Sequence, residues 1–161
     1  MTGKTLADAR RGGTSGCVET GAFGNEAYIL TGYFNIPKVF ELTLNNGYDK
    51  VSKKQLGLQL GYAADFKTYD ELFDAFKKQM KYFIDVKIQG SNIIEKIFAD
   101  CMPAPFLSIL TNDCIAKGKD YNAGGARYNT KYLQGVGIGT ITDCLAAVKY
   151  NVYDKKKLHD G

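Results

Sequence analysis

The strongest constraint on how this chain folds is the stretch that opens at Thr68-Tyr69-Asp70-Glu71. Those residues have the form of a capping box, in which the Thr68 hydroxyl accepts from the amide three positions on and Glu71 reaches back. Behind it, Leu72, Phe73, Phe76, Met80, Phe83 and Ile84 recur at intervals of three and four, which lays one apolar stripe along a helix. Ile93, Ile94, Ile97 and Phe98 resume the stripe beyond Gly90, so the pattern predicts one long helix or two that abut. Pro103-Ala104-Pro105 ends it. The aromatic and methionine content of this stripe reads as core packing.

Shorter helices are expected around it. Asn35-Ile36-Pro37 reads as an N-cap with a proline in the first turn, and Gly47 as a stop, giving a helix near 37–46 that carries Val39, Leu42 and Leu44 toward a core. Phe106 to Ala116 reads as another helix, stopped by Gly118. A last one runs from Thr140 to Val152 and buries Leu145, Val148 and Val152. Ser52-Lys53-Lys54-Gln55 suggests a short helical turn. The 18 glycines concentrate in 12–32 and 118–139, which read as a loop entering one or two short extended segments and as a second glycine-rich loop. No repeat, low-complexity tract or linker divides the 161 residues, so residues 1–161 are expected to form a single part of one domain.

Composition excludes several function classes. Hydrophobic residues make up 45% and charged residues 24%, which fits a globular chain and not a disordered one. The net charge of +4 is dispersed, apart from Lys155-Lys156-Lys157, so no basic stripe points to nucleic acid. No apolar run approaches the roughly 20 residues of a membrane span, and the start Met1-Thr2-Gly3-Lys4 is no signal peptide, so a cytoplasmic location is expected. Cys17, Cys101, Cys114 and Cys144 are irregularly spaced and the one histidine is His159, which fits neither a zinc site nor a disulfide framework. Cys101, Cys114 and Cys144 read as small buried hydrophobes. Gly135-Val136-Gly137-Ile138-Gly139 lacks the GxGxxG spacing of a dinucleotide loop and reads instead as backbone packed close against a neighbour.

Cys17 is different, because it stands in Gly16-Cys17-Val18-Glu19. In extended backbone, residues two apart share a side, so thiol and carboxylate would face one cavity. A thiolate nucleophile needs a nearby histidine, cation or helix N-terminus, whereas Glu19 acts to raise the thiol pKa. A sulfur reacting as a neutral thiyl radical has no such requirement, and a base beside it can take a proton from a substrate.

Ser15-Gly16-Cys17-Val18-Glu19, Asn122-Ala123-Gly124-Gly125-Ala126-Arg127-Tyr128-Asn129 and Gln134-Gly135-Val136-Gly137 together resemble the barrel region of the glycyl radical enzymes, the pyruvate formate-lyase-like superfamily. The likeness covers nearly the whole chain. It implies an α/β fold, part of a ten-stranded barrel, mainly helical here with short strands and a catalytic cysteine loop. Pyruvate formate-lyase itself carries two adjacent cysteines; Gly16 before Cys17 and Glu19 after it resemble the eliminating members instead.

The resemblance implies removal of water from trans-4-hydroxy-L-proline, the small-molecule substrate suggested by the continuation from Thr20 to Asn35. Cys17 is the implied hydrogen-abstracting thiyl, Glu19 the general base and Tyr33 a residue of the substrate pocket. No metal is implied, and no cofactor bound by this segment. The family uses a protein glycyl radical installed by a radical SAM activating enzyme, and homodimers are expected of the intact protein. The Arg-Val-Ser/Thr-Gly-Tyr/Phe type of radical motif does not occur in this sequence, so the chain is expected to be an internal piece of a larger enzyme, inactive alone and dependent on the missing remainder. Other lyases of the family (diol dehydratase, arylacetate decarboxylase, formate acetyltransferase-like) and a non-catalytic subunit docking on a full-length homologue are the alternatives. Asp113, Arg127 and Asn129 lie in family-like motifs without an assigned role.

Overall fold

A computed structural model describes residues 3–16 and 19–156. Its elements begin with α1 (Leu6–Arg10), β1 (Gly12–Ser15), β2 (Glu19–Ala22), β3 (Glu26–Asn35), α2 (Ile36–Leu44), β4 (Tyr48–Asp49) and β5 (Lys54–Gln55). They continue with α3 (Tyr69–Cys101), α4 (Pro105–Leu110), α5 (Cys114–Lys117), β6 (Tyr128–Val136), α6 (Ile138–Val148) and a π-helical segment (Lys149–Asp154). Two compact units result, residues 1–32 with 89–134 and residues 33–88 with 135–161. Each unit is assembled from separate stretches, so no linker composition marks either.

In the first unit β1 and β2 form an antiparallel hairpin with Gly12 opposite Ala22 and Ser15 opposite Glu19, and β3 pairs with β6. The glycine-rich stretch read as a second loop therefore contains a nine-residue strand. Its other glycines lie outside the strand and Gly135 lies near its end, whereas Tyr128 to Gln134 alternates half-buried and exposed positions, the period of a pleated strand. Phe106 to Ala116 is not one helix either. It breaks at Thr111-Asn112-Asp113, where Asn112 donates its backbone N–H to Gly24 O at 2.8 Å and its amide to Asn25 Oδ1 at 2.6 Å. These long-range bonds prevail over local helix propensity, and Asp113 takes a left-handed φ of 76°. Cys114 is buried as expected; Cys101, at the end of α3, is exposed. Gly90 lies within one continuous helix with open space where a Cβ would stand, so its cost is the modest one of glycine in a helix.

The second unit has an aromatic and aliphatic core. Val39, Phe40, Leu72, Phe76 and Ile141 are buried together, with Phe73, Met80, Leu145 and Val148 packed against them, and Phe40 meets Phe76 edge-on at 5.5 Å between ring centres. The caps read from sequence are present: Asn35 Oδ1 accepts from Lys38 N at 3.1 Å, and Thr68 and Glu71 exchange bonds of 3.2 and 3.3 Å. Residues 52–55 make no helical turn. The Asp49 carboxylate accepts the amides of Val51 and Ser52, which turns the chain from β4 into β5. Gly137, at φ 86°, sits where a Cβ would lie 2.5 Å from Pro37 Cδ; close packing, not phosphate binding, accounts for this glycine.

Candidate active site

The hairpin of the first unit carries the candidate chemistry. Glu19 opens β2 opposite Ser15, and Cys17 and Val18, between those partners in the chain, lie outside the described residues. Gly16 has a φ of 56°, and a Cβ there would stand 2.5 Å from Glu19 Oε2. The carboxylate is thus folded back over the residue that precedes the cysteine. Half-buried Glu19 also lines a cavity of about 80 Å³ with Leu30, Tyr132, Leu133 and Gln134. The buried Gln134 Oε1 has no hydrogen-bond partner among the described residues. The arrangement offers a carboxylate base beside a small, partly polar space.

A row of side chains from β6 supports this hairpin. Tyr128 donates its hydroxyl to Asp8 Oδ2 at 2.7 Å, Thr130 donates to Glu26 Oε1, and Tyr132 donates to the carbonyl of Thr20 at 2.7 Å. Asp8 is buried and also accepts from Asn25 Nδ2 at 2.8 Å. The Tyr128 and Thr5 hydroxyls and the Arg127 guanidinium hold its carboxyl below the ordinary value. Burial acts to raise Glu26, but Lys4 at 2.5 Å, the Thr130 hydroxyl and the Ala22 amide outweigh it and the net direction is down. Tyr132 is pushed up by burial and by the carboxylates of Glu26 and Glu19.

The motif residues left without a role prove to be bracing. Arg127 grips Asp113 through two bonds of 3.1 and 3.0 Å and depresses its pKa. Asn129 donates to Ala126 O at 3.0 Å. Tyr33 belongs to the second unit, near the end of β3, with 65% of its surface exposed. Sequence reasoning missed Asp8, Glu26, Tyr132 and Gln134. The signal that could have found the last two is the alternation Tyr128, Thr130, Tyr132, Gln134, which puts all four on one strand face. Among the described residues, no group of three or more His, Cys, Asp or Glu is placed to hold a metal, and no helix is long and apolar enough to cross a membrane.

The model of pyruvate formate lyase-like proteins matches residues 1–159. The chain belongs to this family. It is similar to the trans-4-hydroxy-L-proline dehydratase of Clostridioides difficile, with 67% identity over 155 residues that cover 96% of this chain and 20% of that protein. The crystal structure of hydroxyproline dehydratase from the same organism, with trans-4-hydroxy-L-proline bound, superposes with a TM-score of 0.93 over 98% of this chain and 20% of that one. The B12-independent glycerol dehydratase of Clostridium butyricum follows at 0.90 and 40% identity, with the same coverage. The helices and strands described above are therefore those of a part of the glycyl radical enzyme barrel, and the chain spans about a fifth of the length of the relatives it matches.

Proposed function

We propose that this chain is the cysteine-bearing portion of a glycyl radical dehydratase that removes water from trans-4-hydroxy-L-proline. The observation that carries this reading is the 67% identity to a dehydratase of that name across nearly the entire chain. A glycyl radical supplies the unpaired electron that the sulfur of Cys17 requires. Cys17 takes a hydrogen atom from the carbon beside the ring nitrogen, the neighbouring carbon loses its hydroxyl, which leaves as water with one proton, the ring nitrogen gives up one proton to the base, and the thiol returns its hydrogen atom to give a pyrroline carboxylate. Glu19 is the base, and its half-buried carboxylate, folded over Gly16, suits a group that receives a proton from substrate. Tyr33 is the substrate-binding residue of this reading, and its ring is exposed. A radical SAM activating enzyme and a homodimeric assembly belong to the same reading.

The test is to graft residues 1–161 into the Clostridioides difficile enzyme in place of its own segment. The hybrid is expected to dehydrate trans-4-hydroxy-L-proline. Cys17→Ser is expected to abolish turnover while the glycyl radical stays measurable by electron paramagnetic resonance, and turnover surviving that change would overturn the assignment.

A further inference from the structure

Among the described residues no third strand pairs with β2, and two backbone groups on its outer edge are taken by side chains. In the hairpin register, Thr20 and Ala22 are two residues apart, so the carbonyl of Thr20 and the N–H of Ala22 both point along the same edge of β2. Tyr132 donates to that carbonyl at 2.7 Å, and Glu26 Oε2 accepts from that N–H at 2.8 Å. Both side chains are themselves fixed. The Tyr132 ring is stacked on Tyr28, with centres 5.8 Å apart and planes within 9°, and the Glu26 carboxylate is held by Lys4 and Thr130.

We propose that Tyr132, assisted by Glu26, is a positioning residue for the base Glu19, acting by capping the edge of β2 immediately beside it. Thr20 follows Glu19 in the chain, so the bond to its carbonyl fixes the backbone from which the Glu19 carboxylate is aimed. Tyr132 also lines the cavity that Glu19 lines. A strand edge left to solvent would let the hairpin tip move, and misplacement of a reacting group by 1 Å costs about 10²-fold in rate. This inference rests on the assignment of Glu19 as base.

The experiment uses the same intact hybrid enzyme. Tyr132→Phe keeps the stacked ring and removes only the donor, so kcat is expected to fall between about 10-fold and about 10²-fold, with KM for trans-4-hydroxy-L-proline and the amount of glycyl radical unchanged. A kcat equal to that of the parent overturns the proposal, as does a fall in kcat that simply tracks a loss of radical, which would mark a folding defect. Glu19→Gln runs beside it: an inactive Glu19→Gln with an unaffected Tyr132→Phe rejects the positioning role alone, whereas an active Glu19→Gln rejects the base itself.

Discussion

The interiors of the two units of this chain differ in what fills them. The second buries Phe40, Leu72, Phe76, Val39 and Ile141 against one another. Among the described residues the first has a smaller cluster, Ala27, Cys114 and Ala126 with Ile29 and Tyr121 packed against them, and in its interior stand Asp8, Asn25 and Glu26, each buried and each hydrogen-bonded. Apolar burial is strong but non-directional. A hydrogen bond fails when its geometry drifts by a fraction of an ångström. The candidate base sits in the unit governed by directed bonds, which is where a fixed geometry can be maintained without a large core.

The largest effect is expected in the second unit. Phe76→Ala removes a ring that is 7% exposed and is expected to cost about 3–5 kcal/mol, read from denaturant melts of the intact hybrid, with the second unit's amides losing hydrogen-exchange protection first. A cost below about 1 kcal/mol would mean that this cluster is not the core.

Acid gives an intermediate effect that sharpens the contrast. Asp8, Glu26, Asp113 and Asp120 are all held below their ordinary values. Groups depressed in the folded state stabilise it above their unfolded pKa and lose that contribution as pH falls through the folded value. The first unit should therefore loosen as pH drops beneath 4.5, the ordinary glutamate value, and on past 3.8, that of aspartate. In the second unit Asp74 titrates in the same sense, but its apolar core does not titrate. Asp49, paired with Lys38 at 2.6 Å, is held far enough down to remain ionised deeper into acid. Hydrogen exchange followed against pH measures this, and one common midpoint for both units would remove the distinction.

The smallest effect tests the directed bonds themselves. Tyr28 has a buried hydroxyl without a partner among the described residues, and burial raises its pKa. Tyr28→Phe is expected to raise stability by about 1 kcal/mol, since an unsatisfied buried hydroxyl costs about that much or more. A drop in melting temperature would reveal a bond to that oxygen.

The same contrast explains what could be read from sequence. The Thr68 capping box, the Asn35 cap and the stripe from Leu72 to Phe98 announce themselves because helix signals are local and periodic. The first unit was harder. Its β6 strand lies in a glycine-rich stretch and itself holds Gly135, and the helix break at Asn112 depends on Gly24 and Asn25, far away in the chain. Asp113 and Arg127 meet across fourteen positions, a pairing that no local pattern encodes. Cys17 and Glu19 stood out only because chemistry, not periodicity, makes a sulfur and a carboxylate two residues apart unusual.

The glycine before the cysteine limits what can stand at that position. With Glu19 Oε2 lying 2.5 Å from where a Cβ at position 16 would be, a second thiol at that position and the present pose of the carboxylate exclude each other. A single hydrogen atom for a side chain at position 16 is what leaves room for the carboxylate as it stands. A cysteine there would require the Glu19 carboxylate to swing aside and a residue with a Cβ to hold the left-handed φ of 56°.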